Sequence, residues 1–405
     1  MGLTVVAVTG TNGKTSTALA VHGALVGLGV PSVCYGSLGV TFGHGPPVRT
    51  TSEWMVDPDW IAERLRSWAR ARGDDVVLVA EVTSRWIEMG VAERLRPHVG
   101  VLTSLGADHL DLHGGVGAYH RLKLRLLGSV RAGGHVVCPA GLAGAARGAV
   151  PEGARWTAVG EGAGLPHTVT ARSLHPARTS ASVRLSDGTT ADLAFPTFSA
   201  PLLGNALLAA ATLGALGVPE RTALGAAAAV PLPPGRHEPV VVGGRLAAVV
   251  DSGHNPEAVG GCLRDVAGAF GGRVVTVLGC GGNRDRWKRR AMGAVAASLS
   301  AAVVVTDDNP RGEAPEAIRS EVLAGAPDAV EVAGREDGLA AALDLAGRDG
   351  LVVALGMGSD PWARRGGEPT TDAAELDRLA RARTGGPVLA ANDLAPRRAV
   401  ALAAP

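Results

Sequence analysis

At 405 residues, 46% hydrophobic but only 3% aromatic, the chain has room for two or three domains with cores built mainly from Ala, Val and Leu. A formal charge of +1, with acids and bases interspersed, gives no footing for nucleic acid or an anionic membrane. The four cysteines, Cys34, Cys138, Cys262 and Cys280, lack any CxxC spacing; neither a disulfide framework nor a zinc ribbon is indicated, and a reducing cytoplasm fits.

The opening MGLTVVAVTG has no basic n-region and runs straight into a strand pattern, unlike a signal peptide. The β-branched runs LTVVAVT, DVVLVAEV, VGVLTSL and HVVCPA alternate with segments of helical period such as 14–29 and 115–131. That rhythm predicts an α/β unit, a parallel sheet with helices on both faces. Polar/apolar alternation over 151–195 predicts hairpins instead. The longest uncharged run, 193–219, is broken by Pro196, Pro201 and Asn205, and predicts a loop followed by a small-residue buried helix, not a membrane span. VPLPPGRHEPV, 230–240, predicts a domain linker. Beyond it RLAAVVD, RVVTVLG, AAVVVTDD, AVEVA and GLVVALG, each followed by a helical stretch, predict a second, doubly wound Rossmann-like unit. The boundary is expected near 236–240, giving domains 1–237 and 238–405.

The chemistry begins at VVAVTGTNGKTSTALA, where a strand, a glycine turn and a helix opening at Lys14-Thr15 follow one another. Backbone N–H groups of Thr11, Asn12, Gly13 and Ser16 with the helix N-terminus form an anion cradle; Lys14 reaches terminal phosphates and Thr15 can hold Mg²⁺. The alternative is a plain glycine turn of a βα unit, but strand, glycine, lysine and threonine coincide, and ATP is the expected ligand. Glu81 falls at the carboxyl end of its strand, the edge where parallel sheets place ligands. Asp108, His109, Asp111 and His113 cluster beyond another strand end, either as a solvated turn or as a Mg²⁺ site serving ATP. Of 39 Lys plus Arg only three are lysine, Lys14, Lys123 and Lys288. Arg replaces Lys freely on a surface but not where a small titratable amine is required.

In order, TGTNGKTST, EVTS, DHLDLHG, YHRLK, GRHE, DSGHNP, GCGGNRDRWKR and TDDNPR resemble the Mur ligases, ATP-dependent amide ligases of peptidoglycan assembly, with folylpolyglutamate synthetases as cousins. Within the family the chain is most similar to the UDP-N-acetylmuramoyl-tripeptide synthetase type. The resemblance implies a P-loop central ATPase domain plus a C-terminal Rossmann-like domain, and ligation through an acyl-phosphate. It implies Lys14 and Thr15 on the phosphates and a first Mg²⁺, Glu81 on that metal, and His109 on a second Mg²⁺ with a carbamylated Lys123. It further implies an adenine-side Asn205, an interdomain Arg236 reaching the phosphates, nucleotide-facing Asp251 and His254, and a basic loop of Arg284, Asp285, Lys288 and Arg289.

Three departures bear on the substrates. The chain opens at the phosphate loop, so the domain that grips the UDP end is expected to be lacking; Arg85 stands where the tripeptide synthetases have histidine; and their GKGHE element reads GMGSD, with Gly356 and Asp360. DDNPR, with Asp308, Asn309 and Arg311, is intact and resembles the element that reads the far carboxylate of diaminopimelate. The expectation is a ligase joining an amino acid to a small carboxylate or peptide in specialised metabolism, with no nucleic-acid or membrane partner. The alternatives are a shortened peptidoglycan- or folate-type ligase and a non-catalytic ATP-binding module.

Overall fold

A computed structural model describes residues 2–45, 63, 67, 75–160, 168–175, 178–195, 198–365 and 367–384. The chain divides into two compact units. The first comprises Met1–Leu174, Arg178–Phe195 and Ala200–Pro233; the second starts at Pro234 and also takes the short stretches His175–Ala177 and Pro196–Ser199.

In the first unit, β1 (Leu3–Thr9), β2 (Ser32–Gly36), β3 (Gly39–Phe42), β4 (Val76–Glu81), β5 (Val99–Leu102), β6 (His135–Pro139) and β7 (Arg155–Val159) form one sheet of order β3-β2-β4-β1-β5-β6-β7. Every pairing is parallel except the β2–β3 hairpin. Runs such as VVLVAE are buried along their whole length, as a sheet covered on both faces requires. The pleat sends alternate residues to opposite cores: Val6 and Val8 join the helices Lys14–Gly27 and Ala200–Ala215. Val5 and Ala7 join those at Ser84–Glu88 and Val116–Gly128.

Three further strands, β8 (Thr168–His175), β9 (Arg178–Arg184) and β10 (Thr190–Phe195), make a separate sheet of order β10-β9-β8. Its Ala181, Val183 and Ala191 join the first core, which also holds residues of the helix Ala200–Ala215. That helix is the small-residue segment expected from the uncharged run. Among the described residues no helix is long and apolar enough to cross a membrane.

In the second unit β11 (Glu238–Val242), β12 (Arg245–Asp251), β13 (Val274–Leu278), β14 (Ala302–Val305), β15 (Val330–Glu331) and β16 (Leu351–Leu355) form a sheet of order β11-β12-β16-β13-β14-β15. The central strands are parallel, and β11 is an antiparallel edge that holds the last three residues of the segment read as linker. Pro239 cannot donate to a ladder, which suits it to that edge. Helices Arg335–Ala346 and Asp372–Thr384 cover one face through Leu339, Leu343, Leu376 and Ala380. A two-residue pair, β17 (Trp362–Ala363) with β18 (Pro369–Thr370), precedes the last helix. The loops after β12, β13, β14 and β16 all leave the carboxyl edge, where open parallel sheets carry their ligand sites.

Candidate active site

The turn between β1 and its helix is shaped by contacts that only glycine permits. Gly10 has φ 149, and a Cβ there would lie 2.0 Å from the Thr103 Oγ1. Gly13 has φ 85, and a Cβ there would lie 2.5 Å from the Asn205 Oδ1. Asn205, 192 residues on in sequence, is thereby placed against this glycine turn. The segment after β5 braces the loop: Asn12 N–H donates to Ser104 Oγ at 2.8 Å, Gly106 N–H donates to Thr11 Oγ1 at 2.9 Å, and the Thr103 hydroxyl donates to Asn12 O at 2.5 Å. Lys14 Nζ donates to Thr11 O at 2.8 Å, so the ammonium lies over the loop.

Beside the loop, Glu81 at the end of β4 is 5% exposed and gathers three donors on one oxygen. Thr15 Oγ1 donates at 3.0 Å, and the Ser37 N–H and hydroxyl both at 3.1 Å. Ser37 Oγ also lies 3.1 Å from Thr15 Oγ1. A Cβ on Gly36 would meet the same Glu81 oxygen at 2.7 Å, so this turn must approach closely. One carboxylate and two hydroxyls are hard oxygen donors of the kind Mg²⁺ takes, so the residues fit that ion. Ser37, Thr103 and Ser104 were not singled out in the sequence; the GS step after a strand was the available signal for Ser37.

Lys123 is 1% exposed on the helix Val116–Gly128, with Nζ 5.1 Å from the centre of the Tyr119 ring. Burial, reinforced by the charge of Lys14, drives its amine well below the usual lysine range, while Glu81 and Asp108 pull the other way. The charges of Lys14, Glu81 and Asp108 thus all act on the Lys123 amine. Asp108 is 3% exposed and accepts from the His109 N–H at 3.1 Å. His109 caps the next helix at φ 52, its Nε2 3.7 Å from Asp108 Oδ2. Arg85 is exposed on Ser84–Glu88, whose N-terminus is capped by Thr83. Asp111 is exposed on the helix Leu110–His113. Asp108 is therefore the acid of the DHLDLH run that the fold turns inward.

The second unit has its own cluster at the carboxyl edge. Asp251, closing β12, accepts from His237 N–H at 2.8 Å and from Gly253 N–H at 2.7 Å. Gly235 crosses so close to Gly358 and Ser359 that a Cβ would sit 2.1 Å from Ser359 N, which fixes the turn carrying Arg236. His254 is exposed, its Nδ1 2.9 Å from Ser252 O. Asn255 caps the helix Pro256–Phe270 through Ala258 N–H. His237 is buried, and that burial pushes its imidazole down to about 4.

Around the neighbouring loops, Arg311, at φ 52, donates to Gly282 O at 3.0 Å, and Asp308 Oδ1 accepts from Asn309 N–H at 2.5 Å. A Cβ on Gly356 would lie 2.7 Å from Asp308 Oδ2. Asp308 and Gly356 are thus neighbours. Asp360 is exposed, its N–H donating to Met357 O at 3.0 Å. Of the basic loop, Arg289 is fully buried and bound to Glu313 at 2.8 Å and Glu321 at 3.1 Å, so its guanidinium knits the unit together.

These arrangements can be set beside known proteins. The family model for the Mur ligase middle domain matches residues 8–213, and that for the "Mur ligase, glutamate ligase domain" matches 235–358. A UDP-N-acetylmuramoyl-L-alanyl-D-glutamate–2,6-diaminopimelate ligase of Acidovorax sp. strain JS42 is 34% identical over 399 residues, covering 95% of this chain and 79% of that protein. Its counterpart in Alkalilimnicola ehrlichii is 35% identical over 367 residues, covering 88% and 72%. Among solved structures, a diaminopimelate ligase of the same description gives a TM-score of 0.65 at 22% identity, with 95% and 79% covered. Folylpolyglutamate synthase of Mycobacterium tuberculosis gives 0.70 at 18% identity, with 95% and 92% covered. With both domain models matched in order, the chain belongs to the Mur ligase family, whose members are ATP-dependent ligases that form amide bonds.

Proposed function

We propose that the protein is an ADP-forming ligase that joins the amine of an amino acid to the carboxylate of a small acid or peptide. The first unit, taken as 1–237, is assigned the ATP-binding role, and the second, 238–405, the role of presenting the amino acid. The observation that carries this reading is the convergence of Thr15, Ser37 and Glu81 beside the phosphate loop, with a buried Lys123 coupled to Lys14, Glu81 and Asp108. A module that only held nucleotide would have no use for the second, buried group of ionisable side chains.

In the proposed reaction a substrate carboxylate oxygen attacks the γ-phosphorus, the bond to the ADP oxygen breaks, and an acyl-phosphate forms. The amine then attacks the acyl carbon, phosphate leaves, and the nitrogen gives up a proton. Thr15 and Glu81 are assigned to one Mg²⁺, and His109 with a carbamylated Lys123 to another; bound there, the ions neutralise charge on phosphoryl oxygens. Lys14, at the N-terminus of its helix, serves the terminal phosphates. Carbamylation requires a neutral amine that attacks CO₂, forms an N–C bond and releases a proton; the buried environment of Lys123 favours that neutral form. Arg236, Asp251 and His254, and Asn205 on the first unit, are assigned nucleotide contacts on motif grounds.

The acceptor side rests on Asp308, Asn309 and Arg311, with Gly356 and Asp360 receiving the amino acid. Arg85 and the shortened Asp360 depart from the diaminopimelate-adding pattern, and they support a substrate pair outside cell-wall assembly, in specialised metabolism. Purified enzyme with ATP, Mg²⁺ and a panel of carboxylates and amino acids is expected to release ADP only with a matched pair, with an amide product by mass. Diaminopimelate with the UDP-linked dipeptide belongs in the panel as the peptidoglycan alternative. ADP release with no pair, and no amide mass from any, would overturn the ligase reading in favour of a binding module.

A further inference from the structure

His237, Asp251 and Cys262 meet in the second unit, and nothing in the ligation chemistry calls for the first or the last of them. One ligand atom from each lies within 4.8 Å of the others. His237 is 2% exposed and Cys262 5% exposed. The imidazole Nδ1 faces the Cys262 sulfur at 3.7 Å, and its Nε2 is buried without a hydrogen-bond partner. Among the described residues, then, a buried histidine has a single weak partner, a thiol, where a satisfied core histidine finds an oxygen.

From these positions we infer that His237, Asp251 and Cys262 form a binding site for a thiophilic divalent cation, with Zn²⁺ as the fitting ion, and that its occupancy inhibits the enzyme. The donor set is one imidazole, one thiol that ligates as thiolate after giving its proton to solvent, and one carboxylate. Thiolate and imidazole suit zinc, whereas Mg²⁺ takes oxygen ligands. The spacing also fits: two ligands of a tetrahedral zinc stand about 3.3–3.8 Å apart given its bond lengths, and the His237–Cys262 pair stands at 3.7 Å. Closing the remaining gap to Asp251 takes a shift of about 1.5 Å at most on the same geometry.

The surroundings already orient the ligands. Asp251 is held at both oxygens, by the N–H groups of His237 and Gly253, in the manner of outer-sphere partners that aim a metal-binding carboxylate. The Phe198 ring packs edge-on against the imidazole with centroids 4.6 Å apart and shields that side from water. The charged groups acting on the thiol are Asp251 and Asp265, both acidic, so the field at the site attracts a cation. Three protein ligands leave the fourth position open, as in sites where the ion exchanges, in contrast to closed structural zinc sites. Inhibition follows from position: an ion there takes an oxygen of Asp251, which is assigned a nucleotide contact, beside the turn that carries Arg236.

The test is Co²⁺ titration of the intact, metal-free enzyme, followed in the near ultraviolet for the thiolate-to-cobalt charge-transfer band, with Zn²⁺ as competitor. A saturable band in the wild type that Zn²⁺ abolishes, and that is lost in Cys262→Val, is expected. ADP release in excess Mg²⁺ should fall on adding Zn²⁺, recover with chelator, and be insensitive to Zn²⁺ in Cys262→Val, whose basal rate is unchanged. X-ray absorption of the zinc-loaded wild type, which needs no variant to fold, should show one sulfur at about 2.3 Å with nitrogen and oxygen at about 2.0–2.2 Å. Absence of a band in the wild type, a band that survives in Cys262→Val, or an all-oxygen shell would overturn the site; binding without loss of rate would overturn the inhibition.

Discussion

Lys123 shows how much a single residue's meaning depends on its surroundings. As a letter it was one of three lysines in an arginine-rich chain; in the fold it is enclosed beside Tyr119 and coupled to Lys14, Glu81 and Asp108. On the proposed carbamate, carbon NMR in labelled bicarbonate is expected to show a carbamate signal in the wild type and none in Lys123→Ala, which should also abolish ligation, with partial return on adding short carboxylates. Unchanged turnover would remove Lys123 from the metal site. Gly13 makes a second case, since its φ of 85 and the Asn205 amide leave no room for a Cβ. Gly13→Ala should lower stability by about 1–2 kcal/mol, the cost of a left-handed L-residue. It should also weaken binding of a non-hydrolysable ATP analogue by calorimetry. Intact affinity would show that the loop tolerates displacement of Asn205.

At the scale of elements, the helices beside the phosphate loop and the Asn-capped helix after β12 follow from local rules that the sequence displays openly. The β2–β3 hairpin does not, because SVCYG and GVTF are too short and their antiparallel turn adds an edge to an otherwise parallel sheet. The same holds for β11, where a proline-rich stretch pairs only because β12 offers it an edge. Arg289 links the helix Trp287–Leu299 to Glu313 and Glu321 near the next helix. Hydrogen bonds from Arg289 and from Asn283 N–H hold the Glu313 carboxyl down at about 2, against an ordinary 4.5. Because the folded value is depressed, its stabilisation is complete above pH 4.5 and is lost as pH falls through 2. Glu313→Gln should therefore flatten the stability profile across that window in urea titrations; an unaltered acid limb would show that the pair contributes nothing there.

For the molecule as a whole, each unit has its own core and its own sheet. In the second, Asp372 is fully buried against Arg335 and accepts from the Trp362 indole N–H at 3.0 Å. Asp372→Ala leaves a buried guanidinium without its counter-charge, a change that costs about 3–5 kcal/mol. Calorimetry should show the second unit's transition lowered while that of the first, raised by ATP analogue and Mg²⁺, stays in place. A uniform shift of a single transition would mean that the two units unfold together.

The sequence by itself determined the fold class, the glycine turn that opens the first helix, the strand-end position of Glu81 and the family, because these depend on periodicity and on motifs read within a few residues. It also marked Lys123 as unusual by composition alone. What only the tertiary structure decided is which of the candidates meet. Asn205 reaches Gly13, Ser37 reaches Glu81 and Thr15, and Asp108 turns inward while Asp111 stays outside. His237 and Cys262 belonged to no motif that joins them, and they come together because β12 and the helix after it bring residues 25 apart to one edge. Such contacts are set by strand order and close backbone approach, quantities to which no local spacing in a chain corresponds.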